Sequence, residues 1–350
     1  MGGVGKGEEC GGKSVIKAAI NMLVNNVSLS ESEMAECMKE IMEGRITDAQ
    51  IGAFLAALRM KGETIEEITG AVRIMREKAI TIKAPEGVLD TCGTGGDMSH
   101  TFNISTTTAI VVSACGVPVA KHGNRSVSSQ SGSADVLEAL GIKIDLSPEK
   151  VEECLFVTGF GFLFAPVFHP AMKYAIGPRR EMGIRTVFNI LGPLTNPAGA
   201  KRQLLGVFAD SLTETLAMVL GNLGAVDAMV IHGKDGLDEI TISDATKVSR
   251  FRDGKVENFF ILPEDFGIVR KGSDSIRGGS KEENASITLS ILQGDMGPRR
   301  DIVLMNSAAA LMVSGKAGDF RTALAMAEDA IDSGRALKKL GEVKRVSNSL

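Results

Sequence analysis

The sequence predicts an α/β protein: a small α-helical domain followed by a larger α/β domain with a mostly parallel central sheet. Three observations carry this. Apolar residues recur at helical spacing through 14–80. From Val88 onward, short β-prone runs alternate with helical stretches, the pattern of parallel strands joined by crossover helices. A chain of 350 residues suits two domains better than one.

The N-terminal part reads as four short helices. Val15, Ile16, Ala19, Ile20, Leu23 and Val24 mark one apolar face. Ser30-Glu31-Ser32-Glu33 is a capping box, followed by Met34, Cys37, Met38, Ile41 and Met42 at helical spacing, and Gly44 can end that helix. Ile51, Phe54, Leu55 and Leu58 give a third helix closing near Gly62. Thr64-Ile65-Glu66-Glu67 caps a fourth through Ile68, Ala71, Val72 and Met75. The methionine stripe suits adaptable core packing or a partner groove. Four such helices form a thin core, so docking on a larger domain or a second subunit is expected. Lys83-Ala84-Pro85-Glu86-Gly87 reads as the connecting hinge.

Strand-like runs follow at 117–120, 142–144, 160–164, 204–208 and 228–232, with helices between them at 133–140 and 148–159. Asp253-Gly254 between 247–252 and 255–261 predicts an antiparallel hairpin. The end is helical at 283–293, 302–314 and 321–333.

Hydrophobic residues at 44% and charged residues at 23% are ordinary for a globular enzyme, and a net charge of −4 gives no global attraction to nucleic acid or anionic membrane. Any anion site must be local. The five cysteines lack metal-ligand spacing and read as reduced thiols, so a cytoplasmic location is expected. Neither a membrane-spanning apolar run nor a signal-peptide core is visible. Gly7-Glu8-Glu9-Cys10-Gly11-Gly12-Lys13-Ser14 fits the P-loop pattern by letter, but no strand-like run precedes it. Residues 1–12 are therefore read as a flexible extension.

The chemistry concentrates in Asp90-Thr91-Cys92-Gly93-Thr94-Gly95-Gly96-Asp97. Glycines there allow backbone N–H groups to line an anion-binding concavity. Ser105, Thr106, Thr107 and Thr108 then open a helix whose N-terminus favours phosphate. Lys121-His122-Gly123-Asn124-Arg125 adds positive charge. A phosphate ester or pyrophosphate is the indicated substrate. Asp97 is anomalous there, since like charges 4 Å apart cost about 4 kcal/mol at an effective dielectric of 20. It suits a sugar hydroxyl, a metal or a plain turn. Asp238-Glu239 follows a strand end, where ligands of α/β sheets bind and where hard oxygens suit Mg²⁺; a solvated turn is the simpler alternative. His169-Pro170 opens a basic stretch to Gly183, in which Pro178 should kink or end the helix and turn Arg179 outward. Arg179 could grip a carboxylate through two parallel hydrogen bonds.

Taken together these tracts resemble the anthranilate phosphoribosyltransferase family. The resemblance rests on Gly93-Thr94-Gly95-Gly96-Asp97 with Phe102-Asn103-Ile104-Ser105-Thr106, and on Lys121-His122-Gly123-Asn124-Arg125 through Ser131-Gly132-Ser133-Ala134-Asp135. It continues through His169-Pro170-Ala171-Met172, Gly183-Ile184-Arg185-Thr186-Val187-Phe188-Asn189, Leu191-Gly192-Pro193-Leu194-Thr195-Asn196-Pro197, Gly236-Leu237-Asp238-Glu239 and Glu283-Asn284-Ala285. It covers residues 14–340. It implies transfer of phosphoribose from phosphoribosyl pyrophosphate to anthranilate in tryptophan biosynthesis. It also implies a helical domain of residues 13–83 plus about 165–190 carrying a homodimer contact, and an α/β domain of 84–164 and 191–350. Gly93, Gly96, Asp97, Thr101, Asn103, Ser105, Thr106, Lys121, Ser129 and Ser133 would contact phosphoribosyl pyrophosphate. Gly93, Asn124, His169 and Arg179 would line the anthranilate site, with His122 and Arg179 as catalytic residues. Ser105, Asp238 and Glu239 would hold Mg²⁺, two ions per subunit. The chain departs from the family at Ser126-Val127, where small residues are usual, and at Gln130, where a lysine is. A pyrimidine nucleoside phosphorylase of the same fold is one rival, disfavoured by the 169–196 tract. A nucleic-acid-binding relative is the other, disfavoured by the acidic net charge.

Overall fold

The computed structural model describes residues 15–126 and 131–350. The P-loop-like match, Cys10, the 1–12 extension, Val127, Ser129 and Gln130 lie outside the described residues.

Four helices come first: α1 (Val15–Val24), α2 (Glu31–Met42), α3 (Asp48–Lys61) and α4 (Ile65–Lys78). Capping boxes start three of them, at Ser30/Glu33, Thr47/Gln50 and Thr64/Glu67, each satisfying N–H groups that a helix start leaves without partners. Met34, Met38 and Met42 are buried, so the methionine stripe is core.

The rest of the chain begins with β1 (Leu89–Gly93), α5 (Ile104–Ala114), β2 (Val119–Gly123), α6 (Ser133–Ala139), α7 (Pro148–Thr158) and β3 (Phe160–Phe164). The short α8 (Ala165–Phe168), then α9 (Lys173–Met182) and α10 (Phe188–Leu191), lead to β4 (Arg202–Gly206), α11 (Leu212–Asn222) and β5 (Asp227–Gly233). The hairpin β6 (Thr246–Arg252) and β7 (Lys255–Ile261) precedes α12 (Lys281–Leu292), α13 (Pro298–Ser314), α14 (Phe320–Asp332) and α15 (Arg335–Ser349).

Among the described residues the strands form one seven-stranded sheet, in order β3-β2-β1-β4-β5-β6-β7. The first five are parallel, and the hairpin adds antiparallel to β5. Strand order reverses between β1 and β4, which opens a crevice at their carboxyl ends. Alternate residues of β4 and β5 face opposite cores. Leu204, Met229 and Ile231 pack with residues of α5 and α13. Cys92, Leu205 and Val230 pack with α11 and with the four N-terminal helices. The small helical layer thus shares its core with one face of the sheet, and α9 returns to pack on α2 and α3. Arg76 Nε donates to the Leu194 carbonyl at 2.8 Å across this junction.

Three expectations need correction. Residues 142–144 are not a strand. Ile142 and Ile144 are buried plugs in a connection, and the Lys143 N–H is bonded by Ser347 Oγ of α15 rather than by a neighbouring strand. Pro178 neither ends nor diverts its helix: α9 runs through it to Met182 and stops at Gly183. Arg179 therefore packs inward over the Phe188 ring, at 5.1 Å from its centroid. β1, not among the expected strands, is the middle one of the five parallel strands. Outer strand β7 is largely exposed, with Lys255, Glu257 and Asn258 facing solvent and Lys234 lying over the Phe260 ring.

Met38 is completely buried in the shared core. Met38→Ala should lower stability by roughly 2–5 kcal/mol, read from urea unfolding; a change under about 0.5 kcal/mol, the size of an ordinary surface substitution, would mean that this packing is not the anchor of the helical layer.

Candidate active site

At the switch point the backbone comes unusually close to itself. A Cβ on Gly206 would lie 1.5 Å from the Asp238 carbonyl oxygen, and one on Gly93 would lie 2.5 Å from Asp238 Oδ2. Both strands end in glycine, and only that lets the loop between β5 and β6 descend into the crevice. Gly95 and Gly96 follow with φ of +64° and +75°, which turns the loop back over the strand ends. Gly95 N donates to Asp238 Oδ2 at 2.8 Å, and Thr94 N to the Gly206 carbonyl at 2.9 Å.

Glu239, the next residue, reaches the start of α5: its Oε1 accepts from Ser105 N at 3.0 Å. Buried Lys121, from β2, donates through Nζ to Ser105 Oγ at 3.2 Å and to the Thr91 carbonyl. Asp97, Ser105, Lys121, Asp238 and Glu239 thus form one neighbourhood. Thr106 is buried beneath it, its Oγ1 without a hydrogen-bond partner among the described residues.

Burial sets the protonation of this group. It pushes the Asp238 carboxyl up to about 7, with help from Asp97, and holds Glu239 well above the usual carboxylate range, with help from Asp238. Burial lowers Lys121 while Asp90 opposes that shift. Asp97 Oδ2 is buried with no hydrogen-bond partner among the described residues. Crowded carboxylates with an orphaned oxygen are short of positive charge. No three His, Cys, Asp or Glu side chains converge as a metal cage among the described residues. That donor set fits Mg²⁺, which takes one or two carboxylates and completes its shell from water and substrate oxygens.

Beside this neighbourhood, Asn103 donates to the Ser131 carbonyl at 3.2 Å and accepts from Asn284 Nδ2 at 3.1 Å. A cavity of about 250 Å³ opens here, lined by His100, Thr101, Ser131, Arg277, Gly278, Gly279 and Asn284. Ser133, at the first turn of α6, donates to the Asn124 carbonyl at 3.3 Å.

His122 and His169 meet in a buried pair, Nε2 to Nε2 at 3.2 Å. Burial, then His169, lowers His122 to about 3, and burial lowers His169 to about 4. Both rings are neutral at neutral pH, one donating to the other. Burial therefore makes His122 a weaker proton acceptor than a free imidazole, and its ring meets His169 through a hydrogen bond. Arg179 stands apart from the carboxylates. Its guanidinium is partly desolvated, and no carboxylate ion-pairs with it among the described residues.

Two contributors lie in tracts the sequence reading singled out but were given no role there. Arg185 stacks over Phe208 at 4.5 Å and its Nη2 donates to the Gly96 carbonyl, tying the segment after α9 to the glycine loop. Its signal was a lone cation in an otherwise apolar and polar tract. Asp90 accepts from His122 N at 3.2 Å inside the sheet, where burial raises its carboxyl to about 6.

The α/β domain of the glycosyl transferase family matches residues 85–337, and that family's helical bundle domain matches residues 17–79. The anthranilate phosphoribosyltransferase of Acetivibrio thermocellus is 56% identical over 336 residues, covering 96% of this chain and 97% of the relative. The chain belongs to the anthranilate phosphoribosyltransferase family. The family's enzyme from Geotalea uraniireducens is 52% identical, covering 95% of this chain and 100% of the relative. The Thermus thermophilus family structure superposes with a TM-score of 0.90 at 39% identity, covering 94% of this chain and 99% of that one. The Saccharomyces cerevisiae family structure in complex with phosphoribosyl pyrophosphate and Mg superposes with a TM-score of 0.88 at 28% identity, covering 97% and 99%.

The histidine pair makes a pH prediction. Each ring is neutral when folded but takes up a proton near pH 6.5 when unfolded. The unfolded state then binds more protons below that pH, so stability falls as pH drops from about 6.5 toward 4. His169→Gln should flatten this slope by up to about 1.4 kcal/mol per pH unit, read from urea unfolding at pH 7, 6 and 5; an unchanged slope would refute the buried neutral pair.

Proposed function

We propose that this site transfers the phosphoribosyl group of phosphoribosyl pyrophosphate to the amine of anthranilate, as a step of tryptophan biosynthesis. The observation that carries the reading is the glycine loop laid against Asp238 at the switch point, in a chain 56% identical to a named family enzyme. The amine nitrogen bonds to the anomeric carbon, the bond from that carbon to the pyrophosphate oxygen breaks, and pyrophosphate and the amine proton leave. The Gly93–Asp97 stretch and the N–H groups opening α5 would receive the diphosphate. Asn103, Thr101, Ser129, Ser133 and Lys121 would fix the ribose phosphate, and Thr106 would support them from below.

Ser105, Asp238 and Glu239 would hold Mg²⁺, with Asp97 beside them; two ions per subunit suit the high negative charge of a substrate that carries a diphosphate and a separate phosphate. When bound, the ion supplies positive charge to the departing pyrophosphate. The chain's own residues do the positioning. Lys121 adds fixed positive charge in a water-poor setting, where it acts more strongly than at the surface. Arg179 would pair with the anthranilate carboxylate, beside Asn124, Gly93 and His169. His122 would orient His169 through their shared hydrogen bond. Holding amine and ribose in line provides the proximity contribution.

The same reading assigns residues 13–83 with about 165–190 to the helical domain, and 84–164 with 191–350 to the α/β domain. A homodimer through the helical domain is supported by its exposed Val24, Met60 and Ile176. Sedimentation velocity should return a dimer, and a monomer at all concentrations would remove that assignment.

Mixed with anthranilate, phosphoribosyl pyrophosphate and Mg²⁺, the protein should quench anthranilate fluorescence, and EDTA should abolish the change. No turnover by folded protein would end the reading. Arg179→Ala should raise the KM for anthranilate at least about tenfold, the loss of one charge-assisted pair, while moving that for phosphoribosyl pyrophosphate less than about twofold. Equal shifts would contradict the carboxylate role.

A further inference from the structure

Asn306 lies in the middle of α13 and is completely buried. A buried amide in the centre of a long apolar helix is costly unless every polar atom is used. Here they are used chiefly on one target. Asn306 Oδ1 accepts from Ile240 N at 3.0 Å, and Asn306 Nδ2 donates to the Ile240 carbonyl at 3.0 Å and to the Ile302 carbonyl at 2.8 Å. The amide orientation is forced, because the reverse would set N–H against N–H and oxygen against two carbonyls. The side chain thus pairs with Ile240 as a neighbouring strand would, at a point where the backbone has left the sheet.

Ile240 is the residue after Asp238-Glu239. On the opposite side the same loop is pressed against Gly206 and Gly93. Further along, Thr241 N is bonded by Thr246 Oγ1 at 3.0 Å, and Asp235 Oδ2 accepts from Thr241 Oγ1 and Ser243 Oγ, both at 2.6 Å. Those contacts fix the loop to its own strands. Only Asn306, among the described residues, ties the Ile240 backbone to the helix layer beneath the sheet by side-chain hydrogen bonds.

We propose that Asn306 is a positioning residue for the reaction: by clamping both backbone groups of Ile240 it sets the height and direction at which Asp238 and Glu239 enter the crevice. This rests on the metal-site reading above. Asn306 reaches neither substrate nor metal itself, so its loss weakens the grip of the carboxylates and leaves the Arg179 side of the site unchanged.

The test uses the full chain. Asn306→Ala, with Asn306→Ser as a milder second variant, is compared with Leu311→Ala, which removes buried apolar volume from the same helix and none of the hydrogen bonds to Ile240. Two readouts are taken: Mn²⁺ binding by electron paramagnetic resonance in the presence of phosphoribosyl pyrophosphate and without anthranilate, and the half-saturating Mg²⁺ concentration in turnover. Asn306→Ala should weaken both by about tenfold, the effect expected of displacing a supporting partner of a metal ligand, with the KM for anthranilate within about twofold. Leu311→Ala should lower Tm and leave both metal readouts unchanged. Unchanged metal readouts in a folded Asn306 variant would overturn the proposal, as would Leu311→Ala shifting them equally. Failure of both Asn306 variants to fold would also overturn it, because Asn306 would then serve the sheet as a whole. A parent protein that binds no Mn²⁺ would instead sink the metal-site reading itself.

Discussion

The near-contact between the Asp238 backbone and the ends of β1 and β4 governs the rest of this site. A methyl group on Gly206 could not coexist with the Asp238 carbonyl. With that approach in place, Asp238 can accept from Gly95, Glu239 can reach the first turn of α5, and the glycine loop is held open from below. The crevice exists because strand order reverses there, and the contact determines what the crevice contains.

Electrostatics follow from the same approach. The loop brings half-buried Asp238 and buried Glu239 beside Asp97, and the sheet buries Lys121 and Asp90 beneath them. Such a cluster is costly, since desolvation disfavours the charged forms of both the carboxyls and the lysine. A divalent cation would supply the positive charge that the carboxylates lack, and an accompanying polyanion would face Lys121. The fold therefore carries a local charge imbalance, a departure from ordinary core chemistry of the kind expected at a functional site.

Much of this was legible in the sequence. The four leading helices were marked by apolar spacing and capping boxes, and Asp253-Gly254 marked its hairpin. The glycine loop, Lys121, Ser105 and Asp238-Glu239 were found through local composition, which reports backbone approach and charge directly. β1 was missed because its middle residues, Asp90 and Thr91, are polar yet buried for the site. The apolar alternation of Ile142 and Ile144 mimicked a strand although α15 supplies the bonding partner. The course of α9 through Pro178 depends on packing against α2 and α3, which periodicity cannot show. Asn306 and Arg185 act on backbone atoms far along the chain, and no local pattern encodes such a pairing.

The edge of the sheet has its own consequence. A free outer strand offers unpaired N–H and carbonyl groups to any passing chain. β7 meets that hazard with Lys255 and Glu257 on its solvent side, and its exposed Phe260 is shielded by the Lys234 ammonium. Docking a second strand there would bring Lys255 and Glu257 beside another backbone and strip water from both. The hairpin that extends the parallel sheet thus also acts as its terminator, and keeps strand-to-strand assembly from propagating beyond the molecule.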